Sequence, residues 1–497
     1  MENTNSKQIS DVFRQFLIDS IQPKADTNLS EDIVNERKLS FFCLNSIGFP
    51  LTREDIHPDD LLHSDDVEKK KEGLHRQFLL GQFLNQQVPP STIIDLDRRA
   101  ANMTTDGSSV VDAYKMILQF SEQIDDSYNQ EAEAKSKEIH AKLEQTVTKT
   151  NPFTNEKETV TEPSELSKNY FKYKQPYIDA QVRRGIEMEK GMDTNTDNLD
   201  LWTREGDTAT KEQEETALQQ FISYGYKNEY ETLVNTLADL YDKCFVNMKK
   251  EFKDAMESAK RSDTVSGAEY YDTELYPTDF VVNDTSWTHF AFDSKNYVGD
   301  KEGESHGGGF GTSLSGEALL FLQPLAATAS IGGGFDKMSG TSSENIDATD
   351  LYISFKIARV NIIRPWFKPS IFVMKNYKLS DQAPQSIISR GLIDGVPSLE
   401  GILPYYPTEL VLIKDVQIRC KDLKKTDSVI KKSVSGHAGI SFLGIHIGGH
   451  GSKSKYSEKV NIDQEQGLLT IDGMQAIGFM ISVTPESPKS VIEADNK

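Results

Sequence analysis

Ile9, Val12, Phe13, Phe16, Leu17 and Ile21 recur at the three- and four-residue spacing of a helix, and Pro23 ends the run. A second helix is predicted after Ser30, through Ile33, Val34 and Phe41 to Ile47, where Gly48 and Pro50 stop it. Leu74–Val88 gives a third, closed by Pro89-Pro90. A long fourth begins near Ser109, passes through Val110, Tyr114, Ile117, Leu118 and Ile124, and extends to Leu143. Stripes of this kind bury themselves against one another, which predicts a helical bundle over residues 1–150.

Residues 146–165 are polar and carry Pro152 and Pro163, the signature of a linker. Leu166, Tyr170, Tyr173, Tyr177 and Ala180 predict a further helix, kinked at Pro176. Tyr230, Leu233, Leu237, Leu240 and Cys244 then step by three and four, and Phe245, Met248, Phe252 and Met256 continue the stripe. The first part fits a heptad seam and the second drifts off it, so residues 151–265 read as a linker plus long bundle helices.

After Ser266 helical spacing gives way to alternation. Leu410, Leu412, Val416, Ile418 and Cys420 are interleaved with polar residues, as are Ile477, Phe479, Ile481 and Val483; Leu351, Ile353, Phe355 and Ile357 alternate before a stretch apolar on both faces. The fold class predicted is therefore α+β and multidomain: an N-terminal helical bundle, then an antiparallel, sandwich-like β-rich domain over 270–490. A weak repeat divides that domain. A glycine- and serine-rich strand, a glycine turn, a polar stretch and a strong strand recur in two units, about 305–365 and 433–485, expected to pack face to face.

Charge changes the picture of partners. The formal net charge of −22 excludes general nucleic-acid binding, which needs clustered Lys and Arg. Residues 351–450 nevertheless carry 14 Lys and Arg against 7 Asp and Glu, a basic region in an acidic chain that docks on the acidic half or faces an anion. Three distant cysteines, Cys43, Cys244 and Cys420, read as reduced buried thiols. The polar start from Met1 to Asp11 lacks a signal-peptide layout, and no run of about 20 apolar residues crosses a bilayer. Cytoplasmic synthesis, with release by a signal-independent route, is the expectation.

No catalytic, cofactor or metal set emerges. Gly303-Glu-Ser305-His-Gly307 has the nucleophile-elbow pattern and His306-Gly-Gly-Gly309 an oxyanion-loop pattern, but they share residues and cannot face each other. Asp193, Asn195 and Asp197 open like a calcium loop, with Asn198 where glycine is needed and Arg204 where a bidentate carboxylate is needed. His437, His446 and His450 lack an acidic or thiol companion. No cofactor is expected.

Two uncharged segments carry the functional reading. Ser433–Ser452 holds no Asp, Glu, Lys or Arg, and Ser305–Phe335 holds only Glu317. Central strands of a sandwich lack charge, and so do hairpins that meet lipid, where a charge at mid-depth costs about 2–4 kcal/mol. Taken as one strand, Val434–Ser452 puts Ser441, Leu443, Ile445 and Ile447 on one face and Ala438, Ile440, Phe442, Gly444 and His446 on the other. Neither face is cleanly polar, which favours burial over lipid. Trp366, Phe367 and Phe372, beside Arg364, Lys368 and Lys375, form an aromatic–cation cluster suited to a headgroup, an anionic partner or the core.

The first expectation is thus a non-enzymatic binding protein whose β-rich domain engages a membrane or protein partner through Arg364, Trp366, Phe367, Lys368, Phe372, Phe442 and Leu443. Its sharpest form is a toxin or effector that perturbs membranes. The alternatives are a structural or assembly protein that self-associates into a homo-oligomer, and an enzyme with a dispersed site. A fluorophosphonate probe is expected to leave Ser305 unlabelled; labelling would restore the esterase reading.

Overall fold

The computed structural model describes residues 13–22, 40–88, 90–95, 100–103, 108–124, 130–150, 157–191, 207–241, 245–281, 284–296, 326–330, 338–341, 350–393, 396–419, 438–442, 444–447, 460–463 and 467–488. Nine strands form its main sheet: β1 (Ser40–Leu51), β2 (Pro90–Asp95), β3 (Ala100–Met103), β4 (Glu274–Tyr276), β5 (Thr288–Asp293), β6 (Tyr352–Ile363), β7 (Tyr405–Arg419), β8 (Val460–Asp463) and β9 (Leu468–Val483). Their order is β5-β6-β7-β9-β1-β3-β2, with β4 also on β6 and β8 also on β9. Every pairing is antiparallel except β1 with β3. The chain is an α+β protein built on a large, mostly antiparallel sheet.

Both faces of the sheet are covered, which explains the long apolar stretches in β6, β7 and β9. On one face Ile353, Phe355, Ile357, Ile413, Ile418, Leu469 and Ile471 pack with Phe13, Phe16 and Leu17 of α1 (residues 13–21) and with Val182 and Ile186 of α5 (Glu165–Gly191). On the other, Val360, Ile362, Leu410, Leu412, Phe479 and Ile481 pack with Leu80, Phe83 and Leu84 of α2 (Val67–Leu84). A third core joins α3 (Val110–Phe120), α4 (Gln130–Leu143), α7 (Lys227–Tyr241) and α8 (Phe245–Ser258) to the connection between β6 and β7. The intervening α6 (Asp207–Ser223) packs on α5 through Phe221.

Several expectations change here. The stretch read as a helix from Ser30 to Ile47 contains β1 from Ser40 on. Phe41-Phe42-Cys43-Leu44 is an unbroken apolar run, and a strand covered on both faces imitates a buried helix in that respect. The long helix after Ser109 is two, parted by a short strand, Ser121–Gln123; Ser109 does cap the first, accepting from the Val111 amide. The linker contains a hairpin, Glu144–Thr150 with Lys157–Pro163, and α5 runs through Pro176. The stripe from Leu237 to Met256 lies in one core, although two helices carry it.

The sheet also spans the division placed near residue 265, because β1, β2 and β3 lie beside β9. The two repeated units meet edge to edge. Their strong strands, β6 and β9, flank β7, and their weak strands pair with each other in a second sheet.

A polar network locks α1 and α5 onto the sheet. Arg359 donates to Glu409 at 2.8 Å and to the Ile21 carbonyl at 3.1 Å, while Gln175 donates to Asp179 at 2.9 Å. Burial pushes the Asp179 carboxyl up to about 7, against the pull of Gln175, Arg183 and Arg359. The folded state therefore holds the Asp179 proton more tightly than the unfolded chain does. The ionised form costs stability above pH 7, and that cost disappears as pH falls toward the ordinary aspartate range. Asp179→Asn is expected to raise stability at pH 8 by about 1–3 kcal/mol and to change it little at pH 4; urea melts at both pH values check this, and equal effects at both would contradict it.

Candidate functional site

The two ends of the main sheet differ in kind. At one end β6 passes into Arg364–Pro404 and the helical core. At the other, Asp293 of β5 pairs with Tyr352 of β6, Tyr352 with Arg419 of β7, and Arg419 with Leu468 of β9. In the chain, one uncharged segment falls between β5 and β6 and the other between β7 and β8.

They meet again in a four-stranded second sheet. Ala326–Ser330 pairs antiparallel with Met338–Thr341 on one side and with Ala438–Phe442 on the other, and Ala438–Phe442 turns into Ile445–Ile447. Gly444 in the turn has φ +81°, a left-handed conformation that glycine adopts without strain. Leu443 lies outside the described residues, and Phe442 pairs with Ile445 across this turn.

The tip is anchored on the main sheet by backbone contacts. β1 carries an irregularity between Leu44 and Phe49, opposite Ala476 and Gly478 of β9. There Gly48 donates its amide to the Gly444 carbonyl at 2.6 Å. The fully buried Gln475 of β9 accepts from the His446 amide at 2.8 Å and donates to its carbonyl at 3.3 Å. A Cβ on Gly48 would collide with the Gln475 amide, so glycine there makes room for the clamp. Ile445 and Ile447, almost fully buried, join the core that α1 covers.

The aromatic–cation cluster lies inside the protein. Trp366, Phe367 and Phe372 are buried in the helical core, where Tyr114 meets the Phe367 ring at 5.0 Å and Trp366 donates to the Asp272 carbonyl at 2.9 Å. Arg364 is buried too, and donates to Asn85 at 2.7 Å, the Pro407 carbonyl at 2.7 Å and the Leu84 carbonyl at 2.6 Å. Burial lowers its guanidinium to about 9, so it stays charged at neutral pH. Lys368 pairs with Glu144. The aromatic rings and Arg364 thus spend these contacts on the core, and Lys375 is exposed.

One cavity of about 350 Å³ lies between α4, α8 and the Glu144–Pro163 hairpin. Its charged groups answer one another: Lys368 with Glu144, Arg261 with Asp272, and His140 between Glu144 and Glu251. Burial pushes Glu144 up, but Lys368 and His140 outweigh it and hold the carboxyl at about 2. Among the described residues, no three His, Cys, Asp or Glu side chains gather as a metal site, and no helix is long and apolar enough to cross a membrane. Cys43 is free and buried, with its thiol pushed up by burial; Cys244, Cys420, His437, His450, Asp193 and Ser305 lie outside the described residues.

Comparison with protein-family models, with curated proteins and with solved structures finds no match. The reading of the site rests on its own chemistry.

Sequence reasoning picked out the uncharged segments but missed Gly48 and Gln475, which hold the tip in place. A lone glutamine in the otherwise apolar run from Met474 to Ile481 was the available signal. Arg364→Ala, which would take the arginine donor away from the Asn85 Oδ1 and from the Leu84 and Pro407 carbonyls, is expected to cost about 3 kcal/mol or more. Urea unfolding measures it, and a change within about 0.5 kcal/mol would refute the structural role.

Proposed function

We propose that this chain is a non-enzymatic protein that engages a lipid membrane through the two uncharged segments at the open end of its main sheet. The observation that carries the reading is their pairing: Ala326–Ser330 lies in register beside Ala438–Phe442, although 107 residues separate Ser330 from Ala438 in the chain. Two segments of a strongly charged protein, both almost free of charge, share one small sheet.

Three physical points support a membrane over a protein partner. The first segment links the neighbouring antiparallel strands β5 and β6, so it can lengthen an existing hairpin without any change in topology, and the second runs from β7 to β8, the strand beside the end of β9. The first, of 31 residues, is longer than the two strands of about 9–11 residues that a spanning hairpin requires, and the second, of 20, is close to that length. The excess of Lys and Arg in residues 351–450 gives an otherwise acidic chain one region suited to anionic headgroups. The buried cluster around Trp366 has no part in this contact; it fixes the opposite end of the sheet.

The full chain is expected to float with mixed phosphatidylcholine–phosphatidylserine vesicles in a density gradient and to release an entrapped dye from them, more weakly at high salt. A chain that neither floats nor releases dye at any protein-to-lipid ratio would refute the proposal.

A further inference from the structure

The cavity between α4, α8 and the Glu144–Pro163 hairpin is independent of the membrane contact proposed above, and its charges do not balance. Its volume of about 350 Å³ is that of a small-molecule site. Three Lys and Arg side chains line it, and each is already held by a carboxylate: Lys137 by Glu133 at 2.6 Å, Arg261 by Asp272 at 2.7 Å, and Lys368 by Glu144. Two further lining carboxylates, Glu251 and Asp254 of α8, are paired with no Lys or Arg among the described residues.

Glu251 is the sharper case. Its side chain is 28% exposed, yet its Oε2 is shut off from solvent and accepts no hydrogen bond. His140 comes near, but its Nε2 stops at 3.6 Å and meets the Tyr241 hydroxyl instead. Burial pushes the Glu251 carboxyl above its ordinary value, against the pull of His140 and Lys137. A buried acceptor without a donor destabilises the fold, and a donor brought in from outside recovers that cost. The terminal torsion of glutamate is soft, so either oxygen can be turned to the cavity. Asp254 stands one helical turn further on and is exposed; Cβ atoms at this spacing are about 5–6 Å apart. Ala255, Ala259 and Pro365 supply an apolar wall beside them.

We infer that this cavity binds a small organic diamine, with one ammonium on Glu251, the second on Asp254 and the short hydrocarbon between them against the apolar wall. An anion would meet only cations that are already paired, and a neutral ligand would leave both carboxylates unanswered. A metal ion is a poor occupant, because no three His, Cys, Asp or Glu side chains gather as ligands among the described residues. The Lys368–Glu144 and Arg261–Asp272 pairs keep the other two carboxylates of the cavity occupied, which limits the ligand to two charges.

Titration calorimetry of the full chain at low salt, without lipid, tests this with 1,4-diaminobutane, butylamine, butane-1,4-diol and succinate. One diamine is expected to bind per chain, about fivefold more tightly than butylamine, and the diol and succinate not at all. Glu251→Gln is expected to weaken both amines by about ten- to a hundredfold. Asp254→Asn is expected to weaken the diamine alone, to the level of butylamine. Glu257→Gln removes an exposed carboxylate of the same helix outside the cavity and is expected to change nothing, which separates the site from a general attraction of an acidic chain for amines. Diol or succinate binding as tight as the diamine overturns the inference, as does a diamine affinity that Glu251→Gln leaves unchanged in a folded protein. Asp254 is exposed, so its arm stands even where Glu251→Gln disturbs folding: unchanged diamine affinity in Asp254→Asn, or an equal loss in Glu257→Gln, overturns the inference too. Absence of diamine binding does the same and leaves the membrane reading untouched.

Discussion

β9 can run between β7 and β1 only because glycine stands at two places where a side chain would intrude. A Cβ on Gly478 would strike the Cys43 carbonyl and the Phe42 ring, and one on Gly48 would strike Gln475. Between these glycines β1 departs from regular register, and the space so made admits the Gln475 amide, which holds the strand Ile445–Ile447. The close approach of β1 to β9 thus joins the N-terminal strands to the C-terminal sheet and creates the dock for the tip. The covering helices, the helical core at one end and the uncharged sheet at the other are arranged around that contact.

The fold has an asymmetry of stability built into it. β7 and β9 are long, apolar on both faces and covered by helices, so their ladder opens only when the molecule unfolds. The tip is shorter and is held by its pairing with Ala326–Ser330, by the hydrogen bonds to Gly48 and Gln475, and by burial of Ile445, His446 and Ile447. Under the membrane contact proposed above, this shorter element is the one that gives way first. The helical core at the far end, with Arg364 and Trp366 at its junction with the sheet, keeps the rest of the molecule fixed meanwhile.

Much of this was legible in the sequence where periodicity and solvent exposure agree. The stripe through Leu237, Phe245, Phe252 and Met256, the helix start near Ser109 and the alternation from Val416 to Arg419 in β7 all follow from one face in and one face out. β1 was illegible for the opposite reason. Phe41 faces one core and Phe42 the other, so no period survives, and the run passes for a buried helix. The cluster at Trp366 was visible as chemistry and ambiguous in place, because aromatics beside Arg364 suit a core junction as well as a surface. Of the candidate site, composition picked out the segment around Phe442 but not the turn within it. The pairing turns back between Phe442 and Ile445, and composition does not say where a strand turns. The clamp at Gln475 could not be read, since its partners are backbone atoms brought close only by the fold.

Amide hydrogen exchange with and without vesicles tests the central claim most directly. In solution Ile445–Ile447 should exchange through a local opening, well before Leu410–Ile413 and Ala476–Val483, whose exchange follows global unfolding. On phosphatidylcholine–phosphatidylserine vesicles the Ala438–Phe442 and Ile445–Ile447 amides should become as slow as β9, while Ala326–Ser330 loses its partner and changes rate as well. Exchange of the tip at the rate of β9 in solution, unaltered by vesicles, would show it to be a fixed part of the core and would contradict the account.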